Sequence, residues 1–149
     1  MTLPRPQRLF APSKPGSLLK HAGAADLPQQ PRKLGVWEDV GYLRLIRQLP
    51  CLYCGVEPCG EAAHVKFSSA QFGRANSLGK RPHDRFAVPL CRDDHQNARH
   101  AQHKGNEEAF WIGLGISPYP VAAQLYAQRG DLVAMRAVIY VTISQRGIT

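Results

Sequence analysis

Apolar positions along this chain change their period several times, and each change marks an element. From Trp37 the residues Tyr42, Leu45, Ile46 and Leu49 recur at helical spacing with Arg44 and Arg47 on the other faces, and Pro50 ends the run, so a short amphipathic helix is predicted up to Cys51. Residues 51–67, "CLYCGVEPCGEAAHVKF", read as a tight Cys-x-x-Cys-Gly turn followed by a short hairpin and strand. "FAVPLC", ending at Cys91, reads as a second strand. Between them residues 68–85 show no apolar period, which is long for a plain connection and marks a functional or disordered loop. After Cys91 the acidic pair Asp93 and Asp94 suits the first turn of a helix. That helix would carry His95, His100 and His103, with His95 and His103 within about 80° of each other and His100 and His103 within about 60°.

The C-terminal third is predicted to be helical support. In "NEEAFWIGLGI" Asn106 is an N-cap, Glu107 and Glu108 fill the first turn, and Phe110, Trp111 and Leu114 fall at core spacing. Ser117-Pro118 starts a second short helix, and Gly130-Asp131 separates it from "LVAMRAVIYVTIS". That last segment has two readings: the β-branched run from Val138 to Ile143 suits a strand, while Leu132, Met135, Ile139 and Ile143 fit a helix slightly better. Residues 1–35 are different again, holding six of the twelve prolines among scattered basic residues without a sustained apolar period. They read as a flexible basic arm, either a loose hold on nucleic acid or a tail with no task. Residues 36–149 then form one domain, with a knuckle and core over about 50–104 and helices over 105–149.

Charge sharpens the functional reading. The chain carries a formal net charge of +8, with Lys and Arg outnumbering Asp and Glu 8 to 3 over residues 1–50, 8 to 5 over 51–104 and 3 to 3 over 105–149. Such an excess favours an anionic partner, nucleic acid ahead of a membrane surface. No apolar run reaches the ~18 residues of a membrane span, and the proline-broken start does not read as a signal peptide, so a cytoplasmic location is expected. In a reducing compartment four cysteines are thiols or metal ligands rather than disulfides.

Cys51 and Cys54 make half of a structural zinc site, which needs four ligands. Cys59 is out of register and reads as a free thiol. Cys91 is the natural third ligand, and Asp94 or His95 the fourth. The 68–85 loop places Arg74, Lys80, Arg81 and Arg85 where backbone phosphates would suit them.

Taken together, "CLYCG", "AAHV", "GKRPHDRFAVPLC" and "DDHQNARHAQHKGNEEAFW" resemble an HNH endonuclease of the ββα-metal class. More narrowly, they resemble phage and prophage proteins related to the Ref recombination-enhancing nuclease, over about residues 42–130. The resemblance implies an α+β fold with a small ββα-metal core, a zinc knuckle and flanking helices, acting on DNA and working with a recombinase filament. It assigns His64 as the general base, Cys91 and Asp94 to the structural zinc, and His95 and His103 to one catalytic divalent cation, Mg²⁺, Mn²⁺ or Zn²⁺. Asp84 would hold His64 or support the loop; His100 matches no motif position. Where the family often has a metal ligand before the base, this chain has Ala63. That departure keeps a second reading in play, a catalytically inactive zinc-stabilised nucleic-acid-binding module, and a third is a zinc protein that acts on other proteins.

Overall fold

In the computed structural model, residues 38–74 and 81–146 are described; all fall in the second of the chain's two units, Leu34–Thr149. The expected arm over 1–35, Trp37 and Lys80 lie outside the described residues. The chain is α+β, combining a two-stranded antiparallel sheet with four α-helices among the described residues. Helix α1 (Val40–Ile46) begins where the Asp39 carboxylate accepts the Tyr42 backbone N–H at 2.9 Å, an N-cap. It stops short of the predicted Leu49, because the chain tightens into i→i+3 bonds from Gln48 to Leu45 and from Leu49 to Ile46. Leu49 is nonetheless fully buried.

Cys51 opens a turn closed by Gly55 N–H to the Cys51 carbonyl at 2.9 Å, and Gly55 at φ 77° takes a conformation that a side chain would disfavour. Strand β1 (Gly60–His64) pairs with β2 (Ala87–Cys91) in a register that sets Glu61 opposite Leu90 and His64 opposite Ala87. Four of the five β2 residues are buried, packed against α1 and α3. Pro89 has no N–H to give, but its carbonyl accepts Leu52 N–H at 3.0 Å and ties the cysteine turn to the strand.

After β2 the predicted helix does not form as such. One wide π turn spans Asp93–Asn97 and ends at Ala98 with extended backbone (ψ 158°), and a separate 3₁₀ turn covers Gln102–Lys104. Local polar bonds explain the break. Ala98 N–H closes back on the Asp93 carbonyl at 2.9 Å, and the Asn97 amide donates to the Asp93 carboxylate at 3.2 Å, competing with a regular helical ladder. Helical angles therefore do not set the positions of His95, His100 and His103.

The C-terminal helices are α2 (Glu107–Leu114), α3 (Pro118–Ala127) and α4 (Leu132–Gln145). Asn106 and Asp131 cap α2 and α4 through Ala109 N–H and Ala134 N–H, both at 3.0 Å. The β-branched tail is thus helical: Met135 and Ile139, one turn apart, are both fully buried and seat α4 on the core with Leu125 and Trp111. Among the described residues no helix is long and apolar enough to cross a membrane.

Candidate functional site

Four ligating side chains converge where the cysteine turn meets the end of β2. One ligand atom each from Cys51, Cys54, Cys91 and Asp94 lies within 4.8 Å of the other three, close enough to hold a metal ion. The Asp94 Oδ2 stands 3.0 Å from Cys91 Sγ and 3.3 Å from Cys51 Sγ, and the Cys54 and Cys91 sulfurs are 3.7 Å apart. Backbone donors already aim at this centre: Cys91 N–H reaches Cys51 Sγ at 3.2 Å and Tyr53 N–H reaches it at 3.4 Å. Burial pushes the Cys51 thiol well up and the Cys91 thiol up to about 11. Burial also opposes ionisation of Asp94, but hydrogen bonds from His100 and the thiols prevail and hold its carboxyl below the usual range. Without an ion the thiols stay protonated around one carboxylate; a bound cation would favour their thiolate forms and be held by them and Asp94 together.

Asp94, not His95, is the fourth member of this cluster. His100, to which sequence gave no role, holds it: His100 Nε2 is 2.8 Å from Asp94 Oδ1, and the imidazole stacks on the Tyr53 ring at 4.5 Å. Cys59 stands apart, its buried thiol donating to the Ile46 and Glu61 carbonyls at 3.3 and 3.2 Å. Burial raises that thiol to about 11, consistent with an unreactive packing residue.

The wide turn sends His95 in another direction. Its Nε2 lies 2.9 Å from His103 Nε2, so the break at Ala98 brings together two histidines that a straight helix would have held only loosely on one side. The other nitrogen, Nδ1, meets Glu61 Oε2 at 2.6 Å, and the Gln96 amide donates to the same oxygen at 2.9 Å. A carboxylate on Nδ1 fixes the proton there and leaves Nε2 as a lone-pair donor, the second-sphere arrangement common to metal-ligating histidines. Burial and the Lys66 charge push the His103 imidazole below its ordinary value, which keeps it neutral. Sequence reasoning missed Glu61; its signal was the strand itself, where Glu61 and Ala63 fall on one face and His64 on the other.

His64 ends β1, and its Nε2 is 2.8 Å from Asp84 Oδ1. Asp84 is fully buried, yet its carboxylate is satisfied by His64, by Asp39 N–H at 2.8 Å and by Arg81 Nη2 at 3.0 Å. Burial resists ionisation of Asp84, but those donors outweigh it and keep the carboxyl below the usual range. For His64, burial is the largest influence and pushes the imidazole below its ordinary value against the pull of Asp84. The result is a neutral imidazole with Nε2 engaged and, among the described residues, no partner on Nδ1. The Lys66 charge adds to the lowering of both His64 and His103. Below them, the Gln102 amide donates to the His64 carbonyl at 3.3 Å and to Glu107 at 2.7 Å, while Glu107 also accepts Lys66 N–H.

The basic residues divide. Arg81 is engaged with Glu38 and Asp84, both at 3.0 Å, and so supports the His64 pair rather than standing ready for phosphate. Arg74 reaches back to the Lys66 carbonyl at 3.5 Å. Arg85 is exposed, its guanidinium lying 4.6 Å over the Phe86 ring.

A family model described as "Protein of unknown function (DUF968)" matches residues 25–116, a span that contains Cys51, Cys54, His64, Cys91, Asp94, His95 and His103. No curated protein and no solved structure matches the chain. Because the match covers more than half of the chain and every side chain of these clusters, this protein belongs to the DUF968 family.

Proposed function

We propose that this protein is a metal-dependent endonuclease of the HNH type that hydrolyses DNA phosphodiester bonds, with β1, β2 and the turns after β2 as its ββα-like core. What supports the reading is two separate pairs, His64 with Asp84 at 2.8 Å and His95 with His103 at 2.9 Å. His64 is a strand-borne imidazole kept neutral by burial and held at Nε2 by a buried carboxylate, which leaves Nδ1 to take a proton from water. Deprotonated water would attack phosphorus as the bond to the 3′ oxygen breaks, and the proton would rest on His64.

The two nitrogen donors suit a divalent cation: bonds of about 2.1 Å at right angles separate two ligand atoms by about 3.0 Å, and the His95 and His103 Nε2 atoms are 2.9 Å apart. Such a cation supplies Lewis-acid stabilisation of the phosphate and of the departing oxygen. Glu61 orients His95, and Arg85 with the overall positive charge favours the phosphate backbone.

The second centre suits zinc. Tetrahedral zinc, with bonds of about 2.3 Å to sulfur and about 2.0 Å to oxygen, sets sulfurs ~3.8 Å apart and sulfur and oxygen ~3.5 Å apart. The Cys54–Cys91 separation of 3.7 Å and the Asp94 contacts at 3.0 and 3.3 Å lie close to those values. That ion would pin the cysteine turn to β2 and take no part in bond cleavage.

The test is a plasmid-nicking assay with Mg²⁺ or Mn²⁺. The parent should nick, and His64→Ala should lose about 100-fold or more of that activity while keeping one zinc per chain and its DNA affinity. A parent protein that binds DNA but nicks under none of Mg²⁺, Mn²⁺, Zn²⁺ and Ni²⁺ would sink the nuclease reading. Because Ala63 offers no ligand, that outcome would favour the zinc-stabilised binding module instead.

A further inference from the structure

The short 3₁₀ segment Asp84–Phe86 faces two ways. Asp84 meets His64, while two residues on, Phe86 enters the wall of a cavity of about 350 Å³ whose lining includes Gln71, Phe72, Arg85, Ala123 and Tyr126. That volume is near the lower end of the roughly 300–1,000 Å³ typical of ligand clefts, which suits one flat ring system rather than a helix or a duplex. Among the described residues no carboxylate lines it.

The walls are aromatic and held in place. Phe72 stacks on Tyr119 with ring centres 5.5 Å apart, and Phe86 meets the same Tyr119 edge-on at 5.6 Å. Tyr126 packs edge-on against Tyr42 at 5.0 Å, and its hydroxyl donates to the Asp39 carboxylate at 3.3 Å. Rings fixed in this way lose little freedom when a flat ligand arrives. Two exposed guanidinium groups cover wall residues: Arg85, itself part of the lining, lies over Phe86 at 4.6 Å, and Arg129, outside the lining, lies over Tyr126 at 4.4 Å. Gln71 adds an exposed amide able both to donate and to accept.

We propose that this cavity binds one unstacked nucleobase of a single-stranded stretch of nucleic acid, with Arg85 and Arg129 holding the phosphates on either side. An aromatic slot alone would take many apolar groups. Arg85 in the wall and Arg129 on the Tyr126 ring, on a chain of net charge +8, select a ring that carries phosphate, and a nucleotide supplies both parts. A base stacked in a duplex cannot enter, so the preferred substrate has an unpaired nucleotide within one short segment's reach of His64. The inference rests on the nucleic-acid reading above and deepens it.

Binding separates the two claims, because it is measured without cleavage. Fluorescence anisotropy of a labelled 12-nucleotide single strand is compared with that of a strand of the same length carrying abasic sites throughout, with the zinc-loaded full chain and no added Mg²⁺ or Mn²⁺. The normal strand should bind roughly 5- to 100-fold tighter, the range that one stacked base supplies. Ala127→Trp, which fills the cavity from its exposed edge, and Phe72→Ala should each remove that preference and leave abasic binding unchanged; far-ultraviolet circular dichroism checks that both variants fold. Equal affinity of the parent for the two strands, or no binding to either at low salt, overturns the proposal, as does a preference that survives Ala127→Trp in a folded protein. A protein that prefers normal bases but never nicks DNA keeps this pocket and loses the nuclease; one that nicks without preference does the reverse.

Discussion

Replacing Asp84 by alanine should cost about 2–4 kcal/mol of folding stability. The carboxylate is fully buried and joins three segments: it accepts the Asp39 N–H at the start of α1, the His64 imidazole at the end of β1 and the Arg81 guanidinium. Removing it leaves the Asp39 N–H and the His64 Nε2–H without partners in a place that water reaches poorly, and each orphaned donor costs about 1–3 kcal/mol. The Arg81 side chain is 51% exposed, so its half of the ion pair returns to water and adds little. Relief of the carboxylate's own desolvation offsets part of the loss. Urea unfolding of the zinc-loaded protein at pH 7.5 measures the difference, with Arg81→Ala as the control expected within about 0.5 kcal/mol of the parent. Asp84→Asn should fall between them, and ¹⁵N NMR should show whether its amide donates to Nε2 and moves the His64 proton to Nδ1. If Asp84→Ala lies within about 0.5 kcal/mol of the parent, or Arg81→Ala costs as much as Asp84→Ala, the buried-partner reasoning is wrong.

Three further outcomes are expected. Glu61→Ala should weaken Mn²⁺ or Co²⁺ binding at His95 and His103 by about 10- to 100-fold in calorimetric titration, while Glu61→Gln, which still accepts from Nδ1–H, should recover most of it; equal losses would remove the orienting role. Folding stability should fall as pH drops below about 6.5. The imidazoles of His64, His83 and His103 are all pushed down by burial, so the unfolded chain takes up protons there before the folded one does; the stability they supply is complete above the unfolded value and is lost on acidification. Urea midpoints that stay level or rise from pH 7 to pH 5.5 would contradict this. Ile139→Ala in α4 should cost about 2–5 kcal/mol, whereas Val133→Ala, at a site 75% exposed, should change stability by less than about 0.5 kcal/mol. Thermal unfolding of the pair checks which face of α4 carries the packing.

Much of this protein can be read along the chain. The Cys-x-x-Cys-Gly turn, the two short strands, the Asn106-capped α2 and the Pro118-started α3 are local features, set by glycine φ, a side-chain cap, proline at a helix start and apolar period. Cys51, Cys54 and Cys91 were recognisable as one cluster because thiols at knuckle spacing have few other uses in a reducing compartment. Spacing left the choice between Asp94 and His95 open, and only the resemblance favoured Asp94, because the choice depends on a backbone turn wider than an α-helix. Adjacent residues point about 100° apart in a helix, and only the π turn with the break at Ala98 sends Asp94 to the sulfurs and His95 to His103.

The same limit hid the partners from distant segments. Glu61 on β1 meets His95, 34 positions away, only through the pairing of β1 with β2. His100 acquires its role from Asp94 and the Tyr53 ring, and Arg81 is drawn from the expected phosphate surface into the support of His64 by Asp84 and Glu38. Sequence by itself therefore determined most of the strands and helices and the types of ligating side chain the chain carries, since caps, periods and ligand spacing act over a few residues; it did not determine the turns after β2. Tertiary structure alone decided which donor faces which acceptor: buried charges find partners across the whole fold, and their pairing is settled by where the strands and turns bring them together.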